Sequence, residues 1–234
     1  DPVGEHDLQA LPEPVRRWLR HAGVVGTRPP AVVRLHQEGE LMLAGSWRPF
    51  RAEQCFTVDP PGFLWRAAVR LAPLVEVSGR DRYRAGAGDI RMHLLGAVPV
   101  VRAAGEGFDQ GAMLRLLAEV CWFPAAALAP WAGWVAAGED AAVATMRDAG
   151  REASMSFSFA PDGRLVEQRA LRFNMERGRT EEWVSRVDAE RRMAGVLVPA
   201  EGEARWEYGE GPLPYIRWRL TGLEYDPPHA AAAR

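Results

Sequence analysis

The best candidate for acid–base chemistry is a pair of charged side chains near the middle of the chain. Arg115 and Glu119 are four positions apart in a segment whose apolar spacing predicts a helix, so both lie on one helix face. Two interpretations are open. Either the pair is solvated, or it faces the interior, where burial would raise the pKa of Glu119 and suit it for proton transfer. Trp122, one turn further along, could then stack on a planar molecule.

Two amides lie on apolar faces of predicted strands. Gln37 follows Val33 and Leu35 at alternating positions, and Gln54 alternates with Phe56 in the next strand. A buried amide needs hydrogen-bond partners. These amides either bond across the strands or contact the polar end of a ligand.

The last predicted strand carries Tyr215 and Arg217 on one face, with apolar side chains on the other. An arginine in a cavity would hold a carboxylate or phosphate through two parallel hydrogen bonds. The alternative is a structural ion pair between Arg217 and Glu203 or Glu207 on the neighbouring strand. If the protein is an enzyme, Tyr215 joins Glu119 as a candidate catalytic residue.

The nine tryptophans are many for 234 residues. Aromatic side chains fill cores efficiently, and they also line cavities for hydrophobic molecules. Both interpretations apply to the indoles on the predicted strands and beside the middle helix. The ligand-binding candidates among them are Trp65, Trp122, Trp131 and Trp206.

Composition and motifs exclude several function classes. The net charge is -2, which argues against general nucleic-acid binding, and the absence of lysine removes Schiff-base chemistry. The sequence contains no nucleophile elbow, Walker A string or dinucleotide fingerprint, and its five histidines have no metal-binding spacing. We therefore expect neither a metal nor a cofactor. Cys55 and Cys121 are either small buried side chains or one disulfide in an exported protein.

The elements that must position these residues follow from hydrophobic periodicity. Residues 11–22 predict a helix that ends at Gly23, and Asp109 begins a second one that stops at Pro124, followed by a short apolar helix to Leu128. From residue 31 to 58 the period is two, which predicts a long hairpin. Further strands are predicted over residues 63–71, 75–84, 90–101, from about 141 to 159, and over 165–175, 182–191, 196–208 and 214–225.

We expect an α+β fold with one large antiparallel sheet. Ten or more strands cannot stay flat, so the sheet must curl into a half-barrel with the inserted helices on its concave side. No linker or composition break divides the chain. The sequence therefore predicts one domain over residues 1–226 and a disordered tail over 227–234.

Five segments together resemble a bacterial family of unknown function found mainly in G+C-rich genomes, over nearly the whole chain. They are LPEPVRRWLRHAG (11–23), RAEQCFTVDPPGFLWRA (51–67), DRYRAGAG (81–88), DQGAMLRLLAEVCWFPAAAL (109–128) and GEARWEYGEGPLPYIRWRLTGLEYD (202–226). Many members of that family are preceded by a membrane helix, so the resemblance implies membrane contact through an N-terminal anchor that this sequence lacks.

The order of elements is similar to the LolA-like lipoprotein-carrier fold. Carriers on that fold hold acyl chains, whereas the violacein-pathway enzyme VioE uses it to steer a cofactor-free rearrangement. The resemblance thus leaves two functions open, since fold alone does not decide function. The first is binding of a hydrophobic small molecule or lipid in an apolar cavity. The second is cofactor-independent catalysis on a hydrophobic intermediate. A cytoplasmic and an envelope-associated location in a bacterium are both compatible with the sequence.

Overall fold

The computed structural model describes residues 1–96 and 98–228. The predicted disordered tail falls outside the described residues from residue 229 onward. The helices are α1 (Glu13–Ala22), α2 (Glu106–Glu119) and two 3-10 helices, Val120–Trp122 and Pro124–Leu128. The strands are β1 (Val32–Leu43), β2 (Ser46–Thr57), β3 (Gly62–Ala72), β4 (Val75–Arg84), β5 (Ala87–Leu94), β6 (Val98–Ala104), β7 (Ala132–Ala136), β8 (Ala141–Asp148), β9 (Arg151–Phe159), β10 (Leu165–Asn174), β11 (Arg179–Met193), β12 (Val196–Tyr208) and β13 (Gly211–Tyr225).

All of these strands form one antiparallel sheet in the order β6-β5-β4-β3-β2-β1-β13-β12-β11-β10-β9-β8-β7. It consists of two meanders, β1–β6 and β7–β13, which are joined where β1 pairs with β13. The strands β6 and β7 are its two edges, so the sheet is not closed into a barrel.

The sheet curves around α2. This helix contacts β4, β5 and β6 of the first meander and β8, β9 and β10 of the second. Strands from opposite ends of the strand order can touch one helix only if the sheet bends around it. The predicted α+β architecture, a single curled antiparallel sheet around inserted helices, is therefore confirmed.

Two details of the strand prediction were wrong. Residues 90–101 do not form one strand, because Leu95 and Gly96 have positive φ angles of 51° and 73° and form the turn of the β5–β6 hairpin. The apolar alternation continues through this turn and hides it. The short edge strand β7 was missed, because its residues Ala132–Ala136 directly follow the apolar 3-10 segment.

The helix α1 closes one end of the concave space. Its Trp18 packs against Trp134, Phe157 and Phe159, with ring centroids 5.8 to 6.2 Å apart. Beyond this end the core continues through Phe56, which lies 4.8 Å from Phe123. The side chains of α2 and the 3-10 helices fill the middle, and the opposite end holds a cavity.

Candidate functional site: an apolar cavity on the concave face

The cavity has a volume of about 320 Å³ and lies between the end of α2 and strands of both meanders. Most of its lining is aliphatic or aromatic, and two groups of polar side chains, described below, lie in its walls. The lining residues are Gln37, Leu41, Leu43, Trp65, Arg80, Asp81, Ile90, Met92, Arg115, Ala118, Glu119, Cys121, Trp122, Gln168, Arg172, Trp183, Ser185, Val187, Ala204, Tyr215, Ile216 and Trp218.

Four indoles form much of the apolar wall. Trp122 and Trp218 meet edge to face, with centroids 5.4 Å apart, and the Trp122 Nε1–H donates to the Pro199 carbonyl at 3.1 Å. Trp218 lies over Gly202, where a Cβ atom would come within 2.5 Å of the indole. Only glycine at this position lets the ring occupy its place. Because the Trp65 Nε1–H is also bonded, to Gln37, the indoles present mainly their apolar surfaces to the cavity.

A buried polar network forms the inner end of the cavity. Arg115 donates through Nε to Glu119 at 2.8 Å and through Nη1 to Asp81 at 2.7 Å. The side-chain amide of Gln54 donates to the other Glu119 oxygen at 2.7 Å. The guanidinium also lies 4.9 Å from the ring centroid of Trp65, which is a cation–π distance. The network is therefore held by both α2 and the sheet.

Burial and charge act in opposite directions on this network. Glu119 is 8% exposed, and burial raises the pKa of its carboxyl, although Arg115 and Gln54 oppose the rise. Burial alone would lower the pKa of Arg115, but Glu119 and Asp81 outweigh it and raise that pKa. Arg115 thus stays charged, while Glu119 holds its proton to a higher pH than an exposed glutamate does.

A second polar group lies at the partly exposed rim of the cavity. The Arg172 guanidinium on β10 lies 5.5 Å from the ring centroid of Trp183. The Trp183 Nε1–H in turn donates to the hydroxyl of Tyr215 at 2.9 Å. The three side chains form one wall that spans β10, β11 and β13.

A β-bulge places Tyr215 in this wall. The register between β12 and β13 shifts between Ala204 and Arg205, which pair with Ile216 and Pro214. Tyr215 is the additional residue, and both Tyr215 and Ile216 line the cavity. Simple alternation would have put these neighbours on opposite faces of the sheet.

The structure brings six of the sequence-predicted residues together around the cavity: Gln37, Trp65, Arg115, Glu119, Trp122 and Tyr215. Gln54 is fully buried behind the lining and reaches the site through Glu119. The Arg115–Glu119 pair faces the interior, which is the second of the two interpretations that the sequence left open.

Three predicted residues do not line the cavity. Trp131 is buried elsewhere and donates to the Val58 carbonyl at 2.7 Å. Trp206 stacks on Tyr215 from outside the lining, with centroids 6.0 Å apart. Arg217 is exposed on the outer face, where it pairs with Glu203 at 3.1 Å and lies over Trp47. The structural alternative for Arg217, pairing with Glu203, is the observed one.

Sequence reasoning missed Arg172 and Asp81 as lining residues, and it did not single out Trp183 and Trp218 among the tryptophans of the predicted strands. Arg172 lies two positions from Ala170 and four from Gln168, which are both buried on the inward face of β10. That alternation could have identified Arg172 as an inward-facing charge. No comparable pattern in the sequence indicates the Trp183–Tyr215 contact, which depends on the strand register.

A second hollow of about 860 Å³ lies on the outer face of the sheet and is open to solvent. Its walls mix charged side chains, among them Arg51, Glu53, Arg66 and Arg91, with small apolar ones. It is a wide surface groove, so it would bury less of an apolar molecule than the semi-enclosed concave cavity does.

The part of the chain that the structure describes contains no group of three or more histidine, cysteine, aspartate or glutamate side chains arranged to hold a metal ion. Cys55 and Cys121 are both free thiols, and burial raises the pKa of each. Within residues 1–96 and 98–228, no helix has the length and apolar character needed to cross a membrane.

Comparison with protein families identifies the chain. A family model described as "Family of unknown function (DUF6544)" matches residues 1–218. The chain belongs to this family. The resemblance to a family of unknown function is thereby confirmed. None of the curated protein sequences compared with this DUF6544 chain matches it.

Three solved structures are similar to this DUF6544 chain. A DUF1329 family protein from Desulfovibrio piger has a TM-score of 0.42 and 9% identity, covering 91% of this chain and 92% of that one. A putative outer membrane lipoprotein-sorting protein domain from Vibrio parahaemolyticus has a TM-score of 0.47 and 8% identity, covering 86% of this chain and 88% of that one. The LolA superfamily protein NE2245 from Nitrosomonas europaea has a TM-score of 0.45 and 7% identity, covering 92% of each chain. These values are too low to transfer a ligand or an activity.

Proposed function

We propose that this protein binds a hydrophobic small molecule or a lipid chain in the concave cavity. The observation that carries the proposal is a semi-enclosed space of about 320 Å³ whose walls include four indoles and several aliphatic side chains. This volume is at the lower end of the range for ligand sites, roughly 300 to 1,000 Å³. An empty apolar surface of this kind favours an apolar guest, since burial of apolar area drives binding.

Cavity filling tests this proposal. Ala204 is 4% exposed and lines the cavity, so Ala204→Leu should occupy part of the space. We expect at least about tenfold weaker binding of dodecanoate, since lost burial and steric overlap together exceed about 1.4 kcal/mol. Isothermal titration of the full-length, delipidated protein measures the affinity, and native mass spectrometry reports any molecule retained from the host.

The matched control is Ala68→Leu, the same substitution on the outer face of β3. It should bind dodecanoate as the wild type does. Equal affinities of wild type and Ala204→Leu would contradict binding in this cavity, and failure of the wild type to bind would contradict the proposed function itself.

A second candidate function, cofactor-independent proton transfer, is favoured by one observation. Glu119 lines the cavity, and burial raises the pKa of its carboxyl, as a general acid or base requires. However, both of its oxygens already accept hydrogen bonds, from Arg115 and Gln54. Binding alone is therefore the better supported function.

Isotope exchange tests the catalytic candidate. Molecules extracted from the protein after expression in its own host are returned to it in deuterated buffer. A proton-transfer enzyme incorporates deuterium at carbon, and Glu119→Gln should reduce the rate by at least about a hundredfold. Mass spectrometry measures the incorporation. If wild-type protein leaves every extracted molecule unlabelled, catalysis by Glu119 is contradicted.

A further inference from the structure

The rim of the cavity carries a cation without an acidic partner. Within residues 1–96 and 98–228, Arg172 has no hydrogen bond or ion pair. Its guanidinium lies 5.5 Å from the ring centroid of Trp183 and also close to Gly111 of α2, where a Cβ atom would come within 3.4 Å of the Arg172 Nε. Glu181 stands opposite it in the β10–β11 register. That carboxylate is bound instead by Arg179 at 2.7 Å, with Arg177 at 3.7 Å. The Arg172 guanidinium therefore keeps its donors available to the cavity.

Tyr215 adds a second donor to the same wall. Its hydroxyl oxygen accepts the hydrogen bond from Trp183 at 2.9 Å, so its own proton is free to be donated elsewhere. Arg172 and Tyr215 both line the cavity and are both partly exposed. A charged guanidinium and a phenol O–H on one cavity wall both offer hydrogen-bond donors, which suits an anion.

The inner end of the cavity has the opposite character. There the positive charge of Arg115 is matched by Asp81 and Glu119, which bind it at 2.7 and 2.8 Å. An anion at this end would meet two carboxyl groups, whereas at the rim it would meet Arg172. An amphiphilic guest is therefore favoured with its charged head beside Arg172 and its tail against the indoles of the apolar wall.

We infer that the ligand is an amphiphile with a single anionic head, a carboxylate or a phosphate, held at the rim by Arg172 and Tyr215. This inference rests on the proposed binding function and adds the chemical class of the ligand and its orientation. Arg172 holds the head through charge-assisted hydrogen bonds, the Tyr215 hydroxyl donates a further one, and the tail lies against Trp122 and Trp218.

The experiment compares three probes of equal chain length: dodecanoate, dodecyl phosphate and dodecanol. Isothermal titration measures each affinity for the delipidated wild-type protein. We expect dodecanol to bind at least about tenfold more weakly than the better of the two anions, because a charge-assisted hydrogen bond is lost. Comparison of dodecanoate with dodecyl phosphate shows whether the head group that binds better is a carboxylate or a phosphate.

Arg172→Gln should weaken binding of the preferred anion by at least about tenfold and leave the affinity for dodecanol unchanged. Arg172→Lys should restore part of the lost affinity. The matched control is Arg169→Gln, also on β10, because Arg169 pairs with Glu167 and Glu182 instead of lining the cavity. Far-ultraviolet circular dichroism confirms that each variant is folded.

Each outcome decides something. Equal affinity of the wild type for dodecanol and for both anions overturns the anionic head but leaves the proposed binding function intact. An unchanged affinity in Arg172→Gln, or an equal loss for all three probes, overturns the role of Arg172. If none of the three probes binds to the wild-type protein, the proposed function is overturned together with this inference.

Discussion

At the scale of single residues, the site depends on how Glu119 is buried. Its carboxyl is 8% exposed and accepts hydrogen bonds from Arg115 and Gln54 on opposite oxygens. Asp81 is bound to the same Arg115 guanidinium, and its negative charge raises the pKa of Glu119, as burial does. The folded chain therefore binds the Glu119 proton more tightly than the unfolded chain does, and this difference is measurable as a dependence of stability on pH.

The sign of that dependence follows from the raised pKa. Below the ordinary glutamate pKa of 4.5 the contribution of Glu119 to stability is complete. As the pH rises from there through the raised folded pKa, the unfolded chain loses this proton first, and the contribution is lost. Glu119→Gln, which keeps the shape of the side chain but does not titrate, should remove this part of the pH dependence.

Urea unfolding of wild type and Glu119→Gln from about pH 4 to about pH 8 measures the effect. The wild-type free energy of unfolding, minus that of the variant, should fall as the pH rises and then level off. The control is Glu182→Gln, a substitution of a partly exposed strand glutamate that pairs with Arg169. Parallel curves for wild type and Glu119→Gln would show that burial does not raise this pKa.

At the scale of elements, strand alternation predicted much of the site. The period of two placed Gln37, Gln54 and Trp65 on inward faces, where the structure has them. The spacing of Arg115 and Glu119 placed both on one face of α2, although it left open which way that face points. It points inward because the sheet curves around the helix and covers it on both sides.

Alternation was less informative where strands are irregular. The register shift between Ala204 and Arg205 puts Tyr215 and Ile216, neighbours in sequence, into the same cavity wall. A bulge depends on how two strands pair, so its position was not predictable from the composition of β13 alone. Arg217 lies on the outer face with Glu203, away from the cavity.

At the scale of the whole molecule, a few polar contacts join the two meanders of the open sheet. The Tyr83 hydroxyl on β4 donates to Asp148 at the end of β8 at 2.6 Å, and the Gly86 N–H donates to the same carboxylate at 3.2 Å. Close by, Asp109 of α2 accepts from the Gly88 N–H at 2.8 Å and pairs with Arg151 at 3.2 Å. These contacts hold the meanders together near α2.

A double-mutant cycle over Tyr83→Phe and Asp148→Ala tests the hydrogen bond that connects the two meanders. Burial and the Asp148 carboxylate raise the pKa of Tyr83, so its hydroxyl stays a donor at neutral pH. We expect a coupling free energy of about 1 to 2 kcal/mol, because the hydrogen bond is charge-assisted and partly buried. Urea unfolding of the four proteins measures this coupling free energy. Additive effects of the two substitutions would contradict a stabilising contact between Tyr83 and Asp148.

The sequence by itself determined the class of architecture. Long runs of period two, too numerous for a flat sheet, predicted a curled antiparallel sheet, and polar residues within apolar runs predicted Gln37 and Gln54 in the interior. These features are local, because the alternation of side chains between the two faces of a strand is a property of a few neighbouring residues.

Only the tertiary structure decided which side chains share the cavity. Pairing of β1 with β13 joins the two meanders, and curvature around α2 brings β3–β5 opposite β10–β12. These choices put Arg172 in the lining of the cavity and Arg217 on the outer face of the sheet. Register and curvature arise from contacts between residues far apart in the chain, and a local pattern of side chains does not encode which distant strand will be its partner.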